Sequence, residues 1–174
     1  VEGGAVFTPH AEVLKKIAYL RNFGHDGPER FNGLGINAKN SEFHAAMGIL
    51  NLPYVETILA SQKKQTLIYQ HLLEGLHAQR QKITVGASYN YAYYPLIFET
   101  EAIALKMKAA LEMHEIFPRR YFYPSLNTFS YVKGHAPIAE SIASRILCLP
   151  LFFALSKVEQ EMIARILLRT QNNA

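Results

Sequence analysis

The sequence predicts an α+β fold in which a small mixed sheet is flanked by helices and preceded by a more helical segment. Apolar residues recur at helical spacing in several segments, and short runs rich in strand-forming residues lie between helices after residue 82. Because 49% of the 174 residues are hydrophobic, a chain of this length can also bury a sizeable core. We therefore expect strands and helices to alternate in the second half of the chain.

The first part of the chain predicts a strand end, a helix, a long loop and a second helix. Residues 5–7 suit the end of a strand, and Thr8 is expected to cap the first helix. Residues 23–40 are rich in glycine and asparagine and show little periodicity, which indicates a loop that binds something or covers an interface. Asn40 or Ser41 can cap the next helix, which we expect to be buried.

A much longer helix is expected over residues 53–80. Pro53 interrupts the preceding helical pattern, and apolar residues then recur at helical spacing on both sides of a polar middle around Gln62 to Gln65. This helix is predicted to bridge two parts of a larger structure.

Three strands are predicted in residues 81–174. Residues 91–98 are rich in strand formers, and Pro95 should place that strand at an edge or a bulge. Residues 116–117 can begin a second strand, and residues 146–149 form an apolar run typical of a buried strand.

Three helices should lie between and after these strands. Thr100 predicts the start of the first, Pro137 fits the first turn of the second, and Ser156 with Glu159 forms the capping box of the last.

The composition excludes several classes of protein. The 18 Lys and Arg residues exceed the 14 Asp and Glu residues by only four and are scattered, which argues against a nucleic-acid-binding surface. The longest apolar run, residues 146–155, contains Pro150 and is far shorter than the roughly 20 residues that span a bilayer, so no membrane segment is expected. Because Cys148 is the single cysteine, no intramolecular disulfide can form, and we expect a cytoplasmic location.

The glycine-rich loop contains a candidate phosphate site. Residues 33–38 formally match the Gly-x-Gly-x-x-Ala fingerprint of dinucleotide-binding folds, but residues 27–32 do not form the strand that must precede it. We therefore expect these glycines to shape a loop. The backbone amides, the Asn37 side chain and the Lys39 cation near a helix start nevertheless suit a phosphate group.

Residues 119–123 form a second candidate site, because two arginines there stand beside three aromatic residues. This combination can hold phosphates and stack on a base or a sugar, although a strand end with solvated arginines would show the same pattern. The seven histidines lack the spacing of a zinc site, so no metal is expected. Cys148 lies among apolar residues and should be a buried, unreactive thiol.

Three separated stretches resemble the DegT-type sugar-nucleotide aminotransferases. They are Glu2-Gly3-Gly4-Ala5, then residues 20–27 with 35–42 and 45–48, and finally residues 120–126 with 137–140 and 147–151. Their order and spacing agree across nearly the whole chain, which is identified as the C-terminal portion of a fold type I aminotransferase. The resemblance makes residues 1–52 the end of the large domain, residues 53–80 a bridging helix, and residues 81–174 a small C-terminal α+β domain.

The resemblance implies an enzyme that uses pyridoxal phosphate to move an amino group, usually from glutamate, onto a keto sugar attached to a nucleotide. Such enzymes are homodimers with shared active sites. Asn37 matches the family asparagine that reaches the cofactor phosphate of the neighbouring subunit, and Lys39 keeps a cation close to it. Arg120 and Tyr121 match the segment that lines the sugar-nucleotide pocket.

The family's Schiff-base lysine lies a few residues before the Glu-Gly-Gly-Ala stretch, and therefore before Val1. No catalytic residue is expected within residues 1–174, and these residues alone are expected to be inactive and to hold no pyridoxal phosphate.

Two other functions fit parts of the sequence. A stand-alone α+β interaction module would use the low charge and the tyrosines between Tyr89 and Tyr131 as a recognition surface. An RNA-binding domain would use residues 119–123, but the modest net charge argues against it. The sequence leaves the sugar, the aminated carbon and the amino donor open.

Overall fold

The computed structural model describes residues 2–173, which form two compact units that adjoin in sequence at Val55 and Glu56. In the first unit lie helices α1 (Ala11–Leu20) and α2 (Glu42–Asn51), followed by a 3-10 turn at Leu52–Tyr54. The elements that follow in the chain are α3 (Val55–Leu72), β1 (Gln79–Arg80), β2 (Tyr94–Ile97), α4 (Glu101–Glu112), a 3-10 turn (Leu126–Thr128), α5 (Pro137–Arg145), β3 (Ile146–Leu149) and α6 (Lys157–Asn172). The division of the chain at residues 52 and 80 stays a prediction.

The second unit contains a sheet with the strand order β1-β2-β3, in which both neighbouring pairs are antiparallel. We expected a mixed sheet, and in the described residues the three strands are antiparallel throughout. Periodicity identifies a strand but carries no information about its direction relative to its neighbours. The α+β character itself is confirmed.

Pro95 lies in the central strand, so its predicted place at an edge or a bulge is wrong. It is opposite Cys148 on β3, and the N–H and the C=O of Cys148 both bond to the backbone of Arg119 on the far side. This pair therefore exchanges no ladder hydrogen bond, and the N–H that proline lacks would point toward the β1 side, where β1 pairs only Leu96 and Ile97. Residues 116–117 form no strand, and the backbone bridge to β3 comes from Arg119 instead.

Helix starts in the second unit follow the sequence signals. The Thr100 hydroxyl accepts a hydrogen bond from the Ile103 N–H at 3.2 Å and caps α4, and Pro137 occupies the first turn of α5. Ser156 and Glu159 form the predicted capping box of α6, and the hydrogen bonds from Ser156 lower the pKa of the Glu159 carboxyl. α3 ends at Leu72, earlier than the helical pattern predicted.

The hydrophobic core of the second unit is formed by the sheet, α3, α4 and α6. All four residues of β3 are buried, as the sequence predicted, and α4 packs against both α5 and α6. Fully buried side chains in this core include Tyr69, Leu73, Leu96, Phe98, Leu111, Leu147 and Leu167. No helix in the described part of the chain combines the length and the hydrophobicity that crossing a bilayer needs.

The first unit differs from the sequence expectation in three respects. Residues 5–7 form no strand. α1 begins after His10 rather than after Thr8, and the Thr8 hydroxyl accepts a hydrogen bond from the His10 N–H. α2 has the predicted Ser41 cap but contains no buried residue, because its apolar spacing specifies an apolar face and not what covers that face.

Candidate functional site

The loop of the first unit brings two distant segments side by side. Ile36 donates its N–H to the Leu20 carbonyl at 2.8 Å and accepts at its own carbonyl from the Phe23 N–H at 3.1 Å. Asn22 and Asn37 are paired across this short antiparallel bridge. The segment around Asn37 is therefore held by backbone hydrogen bonds to the end of α1.

Two glycines allow this close crossing. Gly24 has a φ of +81°, and a Cβ added at Gly35 would lie only 2.2 Å from the Gly24 nitrogen. Residues 33–38 therefore meet another backbone segment, and α2 begins only at Glu42. This confirms that the glycines shape a loop rather than the strand-to-helix turn of a dinucleotide site.

The crossing places an amide and a cation beside the same residue. The Lys39 ammonium donates to the Asn22 side-chain oxygen at 2.8 Å and lies 4.9 Å from the centroid of the Phe23 ring. The side chain of Asn37, whose backbone is bridged to that of Asn22, is exposed. An exposed amide next to an exposed ammonium suits an anionic group such as a phosphate.

Asn22 is the member of this group that sequence reasoning did not single out. It lies inside the stretch of residues 20–27 that carries the family resemblance, but only the backbone crossing shows that it is next to Asn37 and Lys39.

A cavity in the second unit contains the other candidate site. Its volume is about 360 Å³, and its lining includes a single charged residue, Arg119. The lining residues are Ala92, Tyr93, Phe117, Arg119, Tyr121, Cys148, Leu149, Pro150, Leu151 and Phe152, and this surface is named the Arg119 cavity below. A cationic group in an aromatic and apolar lining suits a ligand that carries both an anionic group and a ring.

The edge of β3 positions Arg119. Its backbone N–H donates to the Cys148 carbonyl at 3.1 Å, and its carbonyl accepts from the Cys148 N–H at 2.7 Å. The Arg119 guanidinium donates to the Tyr121 hydroxyl, and the Tyr121 ring stands edge-on to the Tyr93 ring, with 5.4 Å between the centroids. The cation and two aromatic rings of this cavity therefore contact one another.

Arg120 points to a different place. Its guanidinium donates to the Glu101 carboxylate at 2.5 Å and to the Ser144 carbonyl at 2.6 Å, and it lies 3.5 Å from the centroid of the Tyr123 ring. It thereby joins the first turn of α4 to the end of α5, and it is absent from the lining of the Arg119 cavity. Of the two substrate residues predicted from the sequence, the structure brings Tyr121 into the cavity.

Cys148 also lines this cavity, but its thiol is poorly suited to attack a substrate. Burial raises the pKa of the Cys148 thiol above its ordinary value, which disfavours the reactive thiolate. The buried thiol predicted from the sequence is therefore confirmed.

The fold is that of a known class of enzymes. The described structure matches DesI, solved in the presence of its TDP-sugar product, with a TM-score of 0.82 and 26% identity, over 95% of this chain and 45% of that one. An aminotransferase from Brucella abortus matches with a TM-score of 0.79 and 22% identity, over 94% of this chain and 44% of that one. The chain therefore has the fold of the C-terminal portion of a fold type I aminotransferase, as the sequence predicted.

The chain belongs to the DegT/DnrJ/EryC1/StrS aminotransferase family, whose model matches residues 1–168. A similar curated protein is the dTDP-4-amino-4,6-dideoxy-D-glucose transaminase of Escherichia coli, which is 30% identical over an alignment of 182 residues. That alignment covers 96% of this chain and 48% of the relative, so the chain spans about half the length of the curated relatives it matches.

Proposed function

We propose that these residues are part of a cytoplasmic, pyridoxal phosphate-dependent aminotransferase that transfers an amino group from glutamate to a nucleotide-linked keto deoxysugar. Membership of the aminotransferase family supports the reaction class. The names of the relatives support the substrate class, because they include a transaminase that acts on a dTDP-linked sugar and an aminotransferase that acts on a UDP-linked one.

The observation that carries the substrate proposal is that Arg119 and Tyr121 line one cavity on β3. The Arg119 guanidinium can bind a diphosphate through charge-assisted hydrogen bonds, and the rings of Tyr93 and Tyr121 can pack against a sugar or a base. Tyr121 keeps the role implied by the resemblance. Arg119 supplies the cation to the ligand, and Arg120 holds the same segment in place through Glu101 and Ser144.

Asn37 and Lys39 would hold the phosphate of pyridoxal phosphate, and Asn22 keeps Lys39 in position through their hydrogen bond. Asn37 and Lys39 are both exposed, and their amide and ammonium donors suit an anion. When bound, the cofactor supplies the electron sink of the reaction. This chain's contribution at that position is to bind and orient an anionic group.

We propose that the intact protein is a homodimer in which this loop serves the neighbouring subunit's cofactor. In support, α1 and α2 beside the loop bury none of their residues, and Phe43 on α2 is 86% exposed. Exposed apolar side chains that cluster on one surface are typical of surfaces that contact other protein.

The residues of this chain alone are proposed to be inactive, since none of its lysines stands in the place of the Schiff-base lysine in the family pattern. Lys15, Lys16 and Lys39 are not substitutes. After pyridoxal phosphate is added and the sample is dialysed, no absorbance band above the protein background should remain. A cofactor band that survives dialysis would contradict the proposal.

The cavity assignment is tested by titrating the chain with dTDP while following backbone amides by NMR. The largest shifts should fall on Arg119, Tyr121, Cys148 and Leu151, because these residues line the cavity. Arg119→Met should weaken dTDP binding about tenfold or more, since a charge-assisted contact to phosphate is lost. Arg169→Met removes the same charge from an exposed position on α6 and should leave dTDP binding within about twofold. Equal losses in the two variants would exclude a specific role for Arg119.

Family membership also bears on the two competing functions. The match to an aminotransferase family extends over residues 1–168. It therefore favours the aminotransferase over an interaction module or an RNA-binding domain.

A further inference from the structure

The polar middle of α3 forms a row of hydrogen-bond donors along one face of the helix. Ser61, Gln65 and Tyr69 are four residues apart, and this spacing places their side chains above one another. Gln65 and Tyr69 are buried, with exposed fractions of 4% and 0%. A buried amide and a buried hydroxyl on a helix need partners, because leaving such groups without hydrogen bonds is costly.

Their partners are carbonyls of the segment that follows β3. Tyr69 donates to the Pro150 carbonyl at 3.0 Å, and the Gln65 amide donates to the Phe152 carbonyl at 2.8 Å. The same Gln65 nitrogen lies 3.2 Å from the Phe153 carbonyl and 3.4 Å from the Leu155 carbonyl. The Ser61 hydroxyl also donates to Phe153, at 3.2 Å. The backbone of residues 150–155 is thus hydrogen-bonded to side chains of α3.

This segment forms one wall of the Arg119 cavity, where Pro150, Leu151 and Phe152 belong to the lining. Its own backbone contributes a single turn hydrogen bond, from the Leu155 N–H to the Phe152 carbonyl at 3.0 Å. The carbonyls of Pro150 and Phe152, two of the three wall residues, are bonded by side chains of α3. The position of the wall therefore depends on a helix that does not itself line the cavity.

The glutamine at position 65 carries a cost as well as these hydrogen bonds. Its side-chain oxygen is buried, and among the described residues it has no hydrogen-bond partner. An apolar residue would avoid that cost but would also remove the amide donors that hold the carbonyls of Phe152, Phe153 and Leu155. A second buried glutamine, Gln160 on α6, donates to the Gln65 backbone carbonyl at 2.9 Å and so ties the α3 backbone at that residue to α6.

We propose that Gln65 and Tyr69 are positioning residues for the ligand of the Arg119 cavity, because they set where the wall formed by residues 150–152 stands. Neither residue touches the ligand. The inference rests on the proposed function for its ligand, but the position of the wall can be measured without any ligand.

The test compares Gln65→Met with Gln70→Met in the full chain. Gln70 lies on the same helix, is exposed and donates no hydrogen bond to residues 150–155. In Gln65→Met the Leu155 amide should exchange with solvent at least about fivefold faster, and dTDP should bind about fivefold or more weakly, because the turn at Phe152 loses its anchor. Gln70→Met should leave both values within about twofold of the unmodified chain.

Tyr69→Phe is the milder variant, since only the hydroxyl that bonds to Pro150 is removed, and it should weaken dTDP binding in the same direction. Ile163→Val controls for stability, because Ile163 is buried on α6 and loses one methylene there. If Ile163→Val weakens dTDP binding as much as Gln65→Met does, the proposal fails and Gln65 is only structural.

The two readouts separate this inference from the proposed function. If the unmodified chain does not bind dTDP, the cavity assignment fails, and exchange at Leu155 still decides whether Gln65 positions the wall. If the Leu155 amide exchanges with solvent in Gln65→Met at the same rate as in the unmodified chain, the inference is overturned, whether or not the chain binds dTDP.

Discussion

At the scale of single residues, two neighbouring arginines have different surroundings. Arg119 is bonded through its backbone to β3 and its side chain lines a cavity, whereas the Arg120 guanidinium bonds to Glu101 and Ser144. The Arg120 Nε is buried and has no partner among the described residues. The Arg120 guanidinium therefore bonds within the protein, and its removal should affect stability more than ligand binding.

Arg120→Met is expected to lower the free energy of unfolding by about 1–3 kcal/mol, because the Ser144 carbonyl and the Glu101 carboxylate lose their donor. Urea denaturation followed by circular dichroism measures this change. Arg119→Met should change the unfolding free energy by less than about 0.5 kcal/mol, since among the described residues its side chain donates a hydrogen bond to the Tyr121 hydroxyl alone. The reverse order of the two effects would contradict the assignment.

The reactivity of Cys148 should depend on pH in a direction set by burial. Burial disfavours the thiolate and raises the pKa of the Cys148 thiol, so less thiolate is present at pH 8 than in a free cysteine. Reaction with a disulfide reagent should therefore be slow at pH 8 in the folded chain and should accelerate as the pH rises toward the raised pKa. The chain unfolded in urea should react at the rate of an ordinary thiol, and equal rates in the two states would contradict a buried thiol.

At the scale of elements, the loop of the first unit depends on two backbone segments that meet at glycines. Gly35 has no left-handed backbone conformation, but an added Cβ would also lie 2.6 Å from the Phe23 carbonyl carbon and 2.8 Å from the Leu20 carbonyl oxygen. The neighbours are backbone atoms, which cannot move aside as a flexible side chain can. The hydrogen bonds between the end of α1 and residues 36–38 therefore require glycine at this position.

Gly35→Ala is expected to open this crossing, and amide exchange at Phe23, Ile36 and Ala38 should accelerate about tenfold or more. Gly48→Ala is the matched control, because Gly48 lies within α2 with no atom near the added Cβ. That change should slow exchange in α2 or leave it unaltered, since alanine favours a helix over glycine by roughly 1 kcal/mol. Unchanged exchange at Ile36 in Gly35→Ala would show that the crossing tolerates a side chain.

At the scale of the whole molecule, burial is distributed very unevenly. The buried hydrophobic residues lie between Tyr69 and Leu167, and neither α1 nor α2 contains a buried residue. Local stability follows buried apolar contacts, so the two units should open with different free energies.

Hydrogen exchange followed by mass spectrometry should show slow exchange in β2, β3, α4 and α6 and fast exchange in α1 and α2 of the same sample. The physical reason is that the first group surrounds the hydrophobic core and the second has no buried residue. Equal protection in α2 and α4 would mean that the exposed faces of the first unit are covered in solution. Light scattering at the same concentration then reports whether a second copy provides that cover.

The sequence by itself determined the family, the α+β class and most helix starts in the second unit. Capping signals such as Thr100 and the pair Ser156 and Glu159 act within one turn, and motif order is a property of the chain alone. Residues 146–149 were likewise identified as a buried strand, because every residue in the run is apolar.

Only the tertiary structure decided the rest, because it depends on contacts between residues far apart in sequence. It placed Pro95 in the central strand, left α2 exposed, and directed Arg119 rather than Arg120 to the cavity. It also brought Asn22 beside Lys39, and the donors of α3 beside carbonyls more than 80 residues away. Spacing along a chain specifies which residues lie on the same face of a helix or strand. Packing between segments decides what that face contacts.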